Sequence, residues 1–286
     1  MNAAADPRLF AEPDLCFAAL PGGACIPYVA TGAGEPLLFV HGSLCDYRYW
    51  NGQTQVLSQH FHCVSVSLSH YWPAADPAPH GRFSWESHVA ELAEFIAAMQ
   101  LGPVHLVGHS RGASVAFHLA RDYPALVKTL TLADPAGPLH TEDAAAPALA
   151  PAQEALRADV AALIAAGELD AGLERFVDSV SMPGIWRKSP ASFRGMAIAN
   201  ASTLPKQFHD PLPGYTRAGA AAIACRTMLI EGARSPRMYR DNVERLAGWI
   251  AHVDKRSIAG ASHGMNVTHA AAFNRLLHAF LGARAA

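Results

Sequence analysis

A serine flanked by glycines, in the pentapeptide Gly-His-Ser-Arg-Gly at positions 108–112, carries the clearest chemical meaning in the sequence. Three apolar residues within 104–107 precede it, and a helical pattern of apolar residues within 113–120 follows it. Ser110 is therefore expected at the apex of a tight strand-turn-helix connection, where the flanking glycines let strand and helix approach closely. Such a turn presents the hydroxyl to a base, and the helix directs backbone N–H groups at a developing negative charge. This context predicts a nucleophilic serine, and the alternative is a serine that only caps its helix.

A serine hydroxyl is a weak nucleophile near neutral pH and needs a base within hydrogen-bond reach. Among the fifteen histidines, His263 is the best placed, because it lies in the glycine-rich segment 260–264 between a predicted strand and a predicted helix. A side chain in such a loop is expected over the carboxyl edge of the sheet, close to Ser110. Two other histidines have different expected roles: His41 steadies its own loop through hydrogen bonds, and His109 lines the pocket.

Strands and helices alternate along most of the chain, which predicts an α/β fold with a mostly parallel central sheet and helices on both faces. The predicted strands cover residues 15–20, 24–30, 36–40, 62–68, 104–107, 128–133, 226–231 and 253–258. Outside the middle of the chain, one predicted helix ends near Ser58, and the others cover 84–100, 113–120, 236–249 and 267–281. The first two strands, joined by Pro-Gly-Gly, form an opening hairpin.

The alternation stops in the middle of the chain. Between residues 140 and 224 the strand signals vanish, and alanine-rich helical segments at 154–166, 170–180 and 189–201 alternate with proline and glycine. We therefore expect an all-helical lid or cap at 140–224, inserted into an α/β core formed by residues 1–139 and 225–286.

Composition excludes several classes of function. The 286 residues are 51% hydrophobic with a net charge of −2, and they contain no long basic run that suits nucleic acid or an anionic membrane. The N-terminus does not resemble a signal peptide, and no segment is long and apolar enough to span a membrane. Five scattered cysteines without C-x-x-C spacing are typical of reduced thiols in the cytoplasm. Without a histidine pair of metal-ligand spacing, we expect no metal and no other cofactor.

In their order along the chain, three motifs resemble those of the α/β-hydrolase superfamily, and the resemblance runs from Pro36 to the C-terminus. His-Gly-Ser at 41–43, with Trp50 downstream, is similar to the segment that donates to the oxyanion hole in this family. Residues 108–112 are similar to its nucleophile elbow, and residues 260–264 to the late loop that carries its catalytic histidine. The resemblance implies a serine hydrolase with Ser110 as nucleophile, His263 as base and a helical lid.

The resemblance also implies an oxyanion hole made of two backbone N–H groups. One belongs to Arg111, which follows the nucleophile, and the other to Ser43, with Leu44 as the alternative. Arg111 is larger than the residue that the family often has at this position. Its guanidinium is expected to face solvent, and the alternative is that it anchors an acidic substrate.

The acid of the triad departs from the family pattern. The family usually places an aspartate in the loop after the penultimate strand, where this chain has Ser235. A hydroxyl does not stabilise an imidazolium as a carboxylate does. Some relatives carry the acid after the strand that follows the elbow helix, and here that loop begins with Asp134. We therefore predict Asp134 as the acid, with Glu231 as second choice and a dyad without carboxylate as third.

These features predict hydrolysis of a small to medium, fairly apolar ester, lactone or related acyl compound through an acyl-serine intermediate. Carbon–carbon bond hydrolysis, acyl transfer and perhydrolysis are alternatives on the same machinery, and a non-catalytic ligand-binding relative is a further one. A serine at position 110 argues against the dehalogenase and epoxide-hydrolase branches, which use aspartate there. The partner is then a small-molecule substrate, and the protein is a cytoplasmic monomer or homodimer. The predicted pocket residues are Leu44, His109, Met182, Trp186 and Phe208.

Overall fold

The computed structural model describes residues 14–73, 81–139 and 150–282 of the chain. The strands of the described residues are β1 Cys16–Ala19, β2 Cys25–Thr31, β3 Glu35–Val40, β4 Phe61–Val66, β5 Val104–His109, β6 Val127–Ala133, β7 Arg226–Gly232 and β8 Val253–Ile258. The helices outside the segment between β6 and β7 are α1 Asn51–Leu57, α2 Trp85–Ala98, α3 Arg111–Asp122, α10 Arg237–Trp249, α11 Met265–Thr268 and α12 Ala270–Gly282. Within that segment lie α4 Pro151–Ala165, α5 Leu169–Val180, α6 Ile185–Lys188, α7 Ala191–Ala199, α8 Thr203–Phe208 and α9 Arg217–Ala221.

All of these strands join one sheet in the order β1-β2-β4-β3-β5-β6-β7-β8. β1 and β2 form an antiparallel hairpin, β2 pairs antiparallel with β4, and every later pairing is parallel. The central strand β5 is buried along its whole length, as expected for an apolar strand covered on both faces. The mostly parallel sheet with an opening hairpin is confirmed.

Successive residues of the central strands face two different cores, because side chains alternate between the faces of a sheet. Leu38 and Leu106 pack with residues of α2, α3 and α10 on one face. Their neighbours Phe39 and Val107 pack with residues of α1 and α12 on the other. Helices therefore cover both faces, and the predicted α/β class is correct.

The segment between β6 and β7 is helical in its described part, residues 150–224. It has an apolar cluster of its own, which also contains Leu44 from the loop after β3; its buried members are Val160, Leu173, Val177, Trp186, Ala197, Ala201 and Leu204. Three of its helices follow the predicted segments, and α6, α8 and α9 were not predicted. These three are only four to six residues long, too short to show a helical period in the sequence. Residues 140–149 of the predicted lid lie outside the described residues.

Two further boundaries differ from the prediction. The helix expected at 267–281 is divided into α11 and α12, because His269 between them has a non-helical φ of −129°. The helix expected at 84–100 ends at Ala98, although Ser84 caps it as predicted and accepts a hydrogen bond from the Ser87 amide. Among the described residues, we find no helix with the length and apolar character needed to cross a membrane.

Candidate active site

Ser110 lies at the apex of the turn between β5 and α3, with φ 55° and ψ −121°. An L-residue is strained at this positive φ, and the turn leaves no room for side chains beside it. A Cβ atom on Gly108 would lie 2.4 Å from the carbonyl oxygen of Gly112, and one on Gly112 would lie 2.2 Å from the carbonyl oxygen of His41. Both positions therefore require glycine, which is the steric reason for the sequence motif.

Ser110, His263 and Asp134 come together at the carboxyl edge of the parallel sheet. Ser110 follows β5, Asp134 follows β6, and His263 follows β8. The Ser110 hydroxyl donates to His263 Nε2 over 3.1 Å, and His263 Nδ1 donates to Asp134 Oδ2 over 3.0 Å. The three side chains thus form one continuous chain of hydrogen bonds, in the geometry that lets an imidazole take a proton from a serine.

Ser235 takes part in this arrangement as a hydrogen-bond donor. Its hydroxyl donates to Asp134 Oδ2 over 2.5 Å, the same oxygen that accepts from His263. Arg240 Nε in turn donates to the Ser235 carbonyl oxygen over 2.9 Å. No hydrogen bond in the described part of the chain joins Glu231 to His263, and Glu231 lies half-buried within β7. The residue at the family's usual acid position therefore contacts the carboxylate that lies beside the histidine.

Burial disfavours charge on both members of the Asp134–His263 pair. The Asp134 side chain has no exposed surface, and its burial raises the pKa of the carboxyl to about 7. Burial lowers the pKa of His263 to about 3. The imidazole is therefore neutral at rest and free to act as a base. Ser110 and His263 each keep 7% of their surface exposed, so a substrate can reach them but not Asp134.

The loop after β3 passes directly beside the nucleophile. A Cβ atom on Gly42 would lie 3.1 Å from the Ser110 Cβ atom, so the next residue, Ser43, is adjacent to the site. Among the described residues, neither the Ser43 N–H nor the Arg111 N–H has a hydrogen-bond acceptor. The N–H of Arg111, directly after Ser110, and the N–H of Ser43, in the loop beside it, are thus without an acceptor among the described residues, which is what donors to a negatively charged oxygen require.

His41 holds this loop in place. Its Nδ1 donates to the Gly42 carbonyl oxygen over 2.8 Å, and its Nε2 accepts from the Leu68 N–H over 3.0 Å. Burial lowers its pKa to about 4, so the ring stays neutral and keeps both bonds near neutral pH. These contacts agree with the predicted role of His41 in steadying its loop.

The prediction that the Arg111 side chain faces solvent is wrong, and the alternative, binding of an acidic substrate, stays a prediction. The residue is 3% exposed, and its Nη2 donates to Asp210 Oδ2 over 2.5 Å. The same carboxylate oxygen accepts from the Trp85 N–H at the start of α2. Arg111 and Asp210 form a buried ion pair that connects the elbow helix to the helical insertion. Sequence reasoning missed this partner because it lies 99 positions away along the chain.

Asp210→Asn will destabilise the protein, because it leaves the Arg111 guanidinium buried without a counter-charge. Breaking such a pair costs about 3–5 kcal/mol. The free energy of unfolding, measured by urea denaturation, will show the loss. Asp241→Asn is the matched control, since Asp241 pairs with Arg237 on the exposed face of α10 and its removal changes little. Equal effects in the two variants would contradict a structural role for the Arg111–Asp210 pair.

The predicted pocket residues lie in different surroundings. Trp186 has no exposed surface and its Nε1 donates to Asp170, so it belongs to the core of the insertion and is not a pocket wall in this conformation. Leu44 is buried in the same cluster, whereas Met182 is 41% exposed. Phe208 packs partly buried against this cluster, 6.1 Å from the ring of Phe176. His109 is buried and donates from Nε2 to the His263 carbonyl oxygen over 2.7 Å.

Tyr239 in α10 is a residue of the site that sequence reasoning missed. Its ring lies parallel to the His263 imidazole, with centroids 4.0 Å apart and an angle of 16° between the planes. The only signal in the sequence was an aromatic residue four positions after Ser235, at the start of a predicted helix. We find no group of three or more metal-ligating side chains within the described ranges that could hold a metal ion.

Comparison with known proteins gives a consistent family and fold. A model of the alpha/beta hydrolase family matches residues 37–276. The (E)-2-((N-methylformamido)methylene)succinate hydrolase of Acinetobacter baylyi is 24% identical over 257 residues, which cover 89% of this chain and 93% of that protein. A hydrolase from Pseudomonas aeruginosa is similar in structure with a TM-score of 0.76 and 25% identity, over 96% of this chain and 100% of that one. The enol-lactonase from Burkholderia xenovorans shares the fold, with a TM-score of 0.72 and 17% identity over 94% and 100% of the two chains.

Proposed function

Since this chain belongs to the alpha/beta hydrolase family and is a hydrolase, we propose that it cleaves an ester, lactone or related acyl compound of small to medium size through an acyl-serine intermediate. The observation that carries the proposal is the hydrogen-bonded chain from Ser110 through His263 to Asp134, with two free N–H groups beside the serine. Nucleophile, base, acid and oxyanion donors are the parts that acyl transfer to a serine needs.

In the first half of the reaction, the Ser110 oxygen attacks the carbonyl carbon while its proton passes to His263 Nε2. The carbonyl oxygen becomes negative and accepts hydrogen bonds from the Ser43 and Arg111 N–H groups. The Asp134 carboxylate stabilises the imidazolium through Nδ1. When the tetrahedral intermediate collapses, the bond to the leaving oxygen breaks, and His263 gives that oxygen its proton.

In the second half, water replaces the alcohol beside His263. The imidazole takes a proton from the water as its oxygen attacks the acyl carbon, and the same N–H groups receive the second oxyanion. Collapse breaks the bond to Ser110, which regains its proton from His263. The acid product leaves, and the His263 imidazole is again neutral, as it was at rest.

The surroundings of Ser110 support an uncharged, fairly apolar acyl group as the preferred substrate. The guanidinium of Arg111, the residue directly after the nucleophile, is paired with Asp210 in the interior. It is therefore not available to bind a carboxylate of the substrate. The Acinetobacter relative is named for a derivative of succinate, so an anionic substrate is the comparison that tests this point.

A panel of p-nitrophenyl esters tests the proposal directly. We expect release of p-nitrophenol from the acetate, butyrate and octanoate esters, and stoichiometric labelling of the protein by a fluorophosphonate probe. The hemisuccinate ester of p-nitrophenol should react with a lower kcat/KM than the butyrate ester, because the Arg111 guanidinium is already paired with Asp210. A protein that neither hydrolyses these esters nor takes up the probe would be a ligand-binding relative instead of an enzyme of this type.

A further inference from the structure

The aromatic ring of Tyr239 covers one face of the His263 imidazole. The two rings are stacked at a centroid distance of 4.0 Å and are 16° from parallel. Tyr239 is 2% exposed. Its place is fixed by α10, the helix that begins directly after the loop holding Ser235. A buried ring in this position can move little without moving the imidazole.

We propose that Tyr239 is a positioning residue for the reaction: its ring fixes the plane of the His263 imidazole and stabilises the imidazolium that forms during catalysis. The inference rests on the proposed function, because it assumes that His263 takes the proton of Ser110. Nothing in the family match or in the motifs assigns a role to this tyrosine.

The geometry supports both parts of this role. His263 must reach Ser110 with Nε2 and Asp134 with Nδ1 at the same time, so only one orientation of the imidazole plane allows both hydrogen bonds. The face of an aromatic ring is electron-rich and attracts a cation above it. The imidazole is neutral at rest and becomes positive only when Ser110 loses its proton. Stabilisation by Tyr239 is therefore stronger in the transition state than in the ground state, which is the condition for accelerating the chemical step.

The effect of Tyr239 on His263 can be measured in the pH dependence of kcat/KM, provided that the other groups facing His263 are taken into account. Asp134 faces it from the end of β6, His109 from the end of β5 with ring centroids 4.6 Å apart, and Tyr239 from α10. Burial lowers the pKa of His109 to about 3 and raises the pKa of Tyr239, so neither changes its charge near neutral pH.

Two more groups act on the pair through Asp134, namely Glu231 from β7 and Arg240 from α10. Neither is altered by changing the Tyr239 ring. The acid limb of the kcat/KM profile therefore reports proton uptake by the Asp134–His263 pair.

Two substitutions separate the ring of Tyr239 from its hydroxyl. Tyr239→Phe keeps the ring face, and we expect kcat within about threefold of the wild type and an unchanged acid limb. Tyr239→Leu removes the face, and we expect kcat to fall about thirtyfold, the scale of a desolvated cation–π contact, with little change in KM. In this variant the acid limb should shift to lower pH, because the protonated imidazole has lost a stabilising partner.

Leu246→Ala is the matched control, since Leu246 is a buried residue on the same helix that packs into the core. It should lower the melting temperature without moving the acid limb. If Tyr239→Leu does not fold, Tyr239→Met supplies an unbranched side chain without a ring and serves the same purpose.

A ringless variant that keeps the wild-type kcat and acid limb would overturn the proposal. So would a Tyr239→Phe variant as impaired as Tyr239→Leu, because the hydroxyl would then carry the effect. Fluorophosphonate labelling of the wild type is measured in parallel. If the wild type is not labelled, the proposed function fails, whereas normal labelling with an unaffected Tyr239→Leu variant overturns the inference alone.

Discussion

Ser110→Ala will abolish labelling by a fluorophosphonate and will lower kcat for p-nitrophenyl butyrate by about 10⁶-fold, the scale of loss when a triad loses its nucleophile. The substitution removes only one oxygen, and that oxygen is the atom that attacks the substrate and gives its proton to His263 Nε2. The oxyanion donors belong to the backbone, so binding of the substrate remains. Labelling is measured by intact-protein mass spectrometry, and kcat by stopped assays with high enzyme concentration.

Ser114→Ala is the matched control for this experiment. Ser114 is a buried serine in the first turn of α3, four positions after Ser110, and the substitution removes the same kind of hydroxyl oxygen. Its labelling and kcat should stay close to the wild-type values. A Ser110→Ala protein that is folded and still hydrolyses the ester at a comparable rate would end the interpretation as a serine hydrolase.

The fold was predictable because its determinants are local. The apolar run 36–40 and the mostly apolar segment 104–107 form strands that are buried on both faces. Because such strands alternate with helices along the chain, a parallel sheet is the expected arrangement. The elbow was predictable for a steric reason. At Gly108 and Gly112 any Cβ atom would overlap backbone atoms, so the turn requires the two glycines that define the sequence motif.

The surroundings of the site were harder to predict because they depend on contacts distant in sequence. The side chain of Arg111 was placed in solvent by a local argument, yet its partner Asp210 lies in the insertion. Tyr239 reaches His263 from 24 positions earlier in the chain, through the packing of α10 beside the loop after β8. A pattern of residue types contains no information on such pairs unless both positions belong to one motif.

The acid of the triad was only partly predictable from the sequence. Ser235 at the usual acid position indicated that the carboxylate had to come from elsewhere, and strand order placed Asp134 at the same edge of the sheet. That Ser235 itself donates to Asp134 was not foreseen, because a serine in a loop has many alternative partners. The geometry brings Asp134 to His263, and its catalytic role is a prediction that kinetics must test.

Asp134→Asn will lower kcat by about 10⁴-fold, the scale known for replacing the buried aspartate of a serine triad by its amide. The substitution keeps the shape of the side chain. It removes the charge that stabilises the imidazolium, and an amide nitrogen facing Nδ1 favours the wrong tautomer of His263. Glu231→Gln is the control carboxylate, and its effect on kcat should be far smaller. Equal losses in the two variants would contradict the assignment of Asp134.

The pH profile gives a second readout of the same change. Asp134 and His263 are joined by a hydrogen bond and take up a proton as one pair, and burial raises the pKa of the Asp134 carboxyl to about 7. Wild-type kcat/KM should therefore decline on the acid side near neutral pH. In Asp134→Asn the imidazole takes up the proton alone, and burial without a facing carboxylate lowers its pKa. The acid limb of the variant should thus move to lower pH. An unchanged limb would mean that another group titrates.

Moving the carboxylate to the usual family position should restore part of the lost activity. The Ser235 hydroxyl lies 2.5 Å from Asp134 Oδ2, which lies 3.0 Å from His263 Nδ1. A carboxylate at position 235 therefore starts close to the oxygen that it must replace. We expect Asp134→Asn with Ser235→Asp to recover at least about tenfold in kcat over Asp134→Asn alone, through the charge that stabilises the imidazolium. Ser235→Asp alone is the control, and it should be impaired, because two carboxylates would then share one buried site. A folded double variant no faster than Asp134→Asn would show that the loop after β7 does not direct a carboxylate at the imidazole.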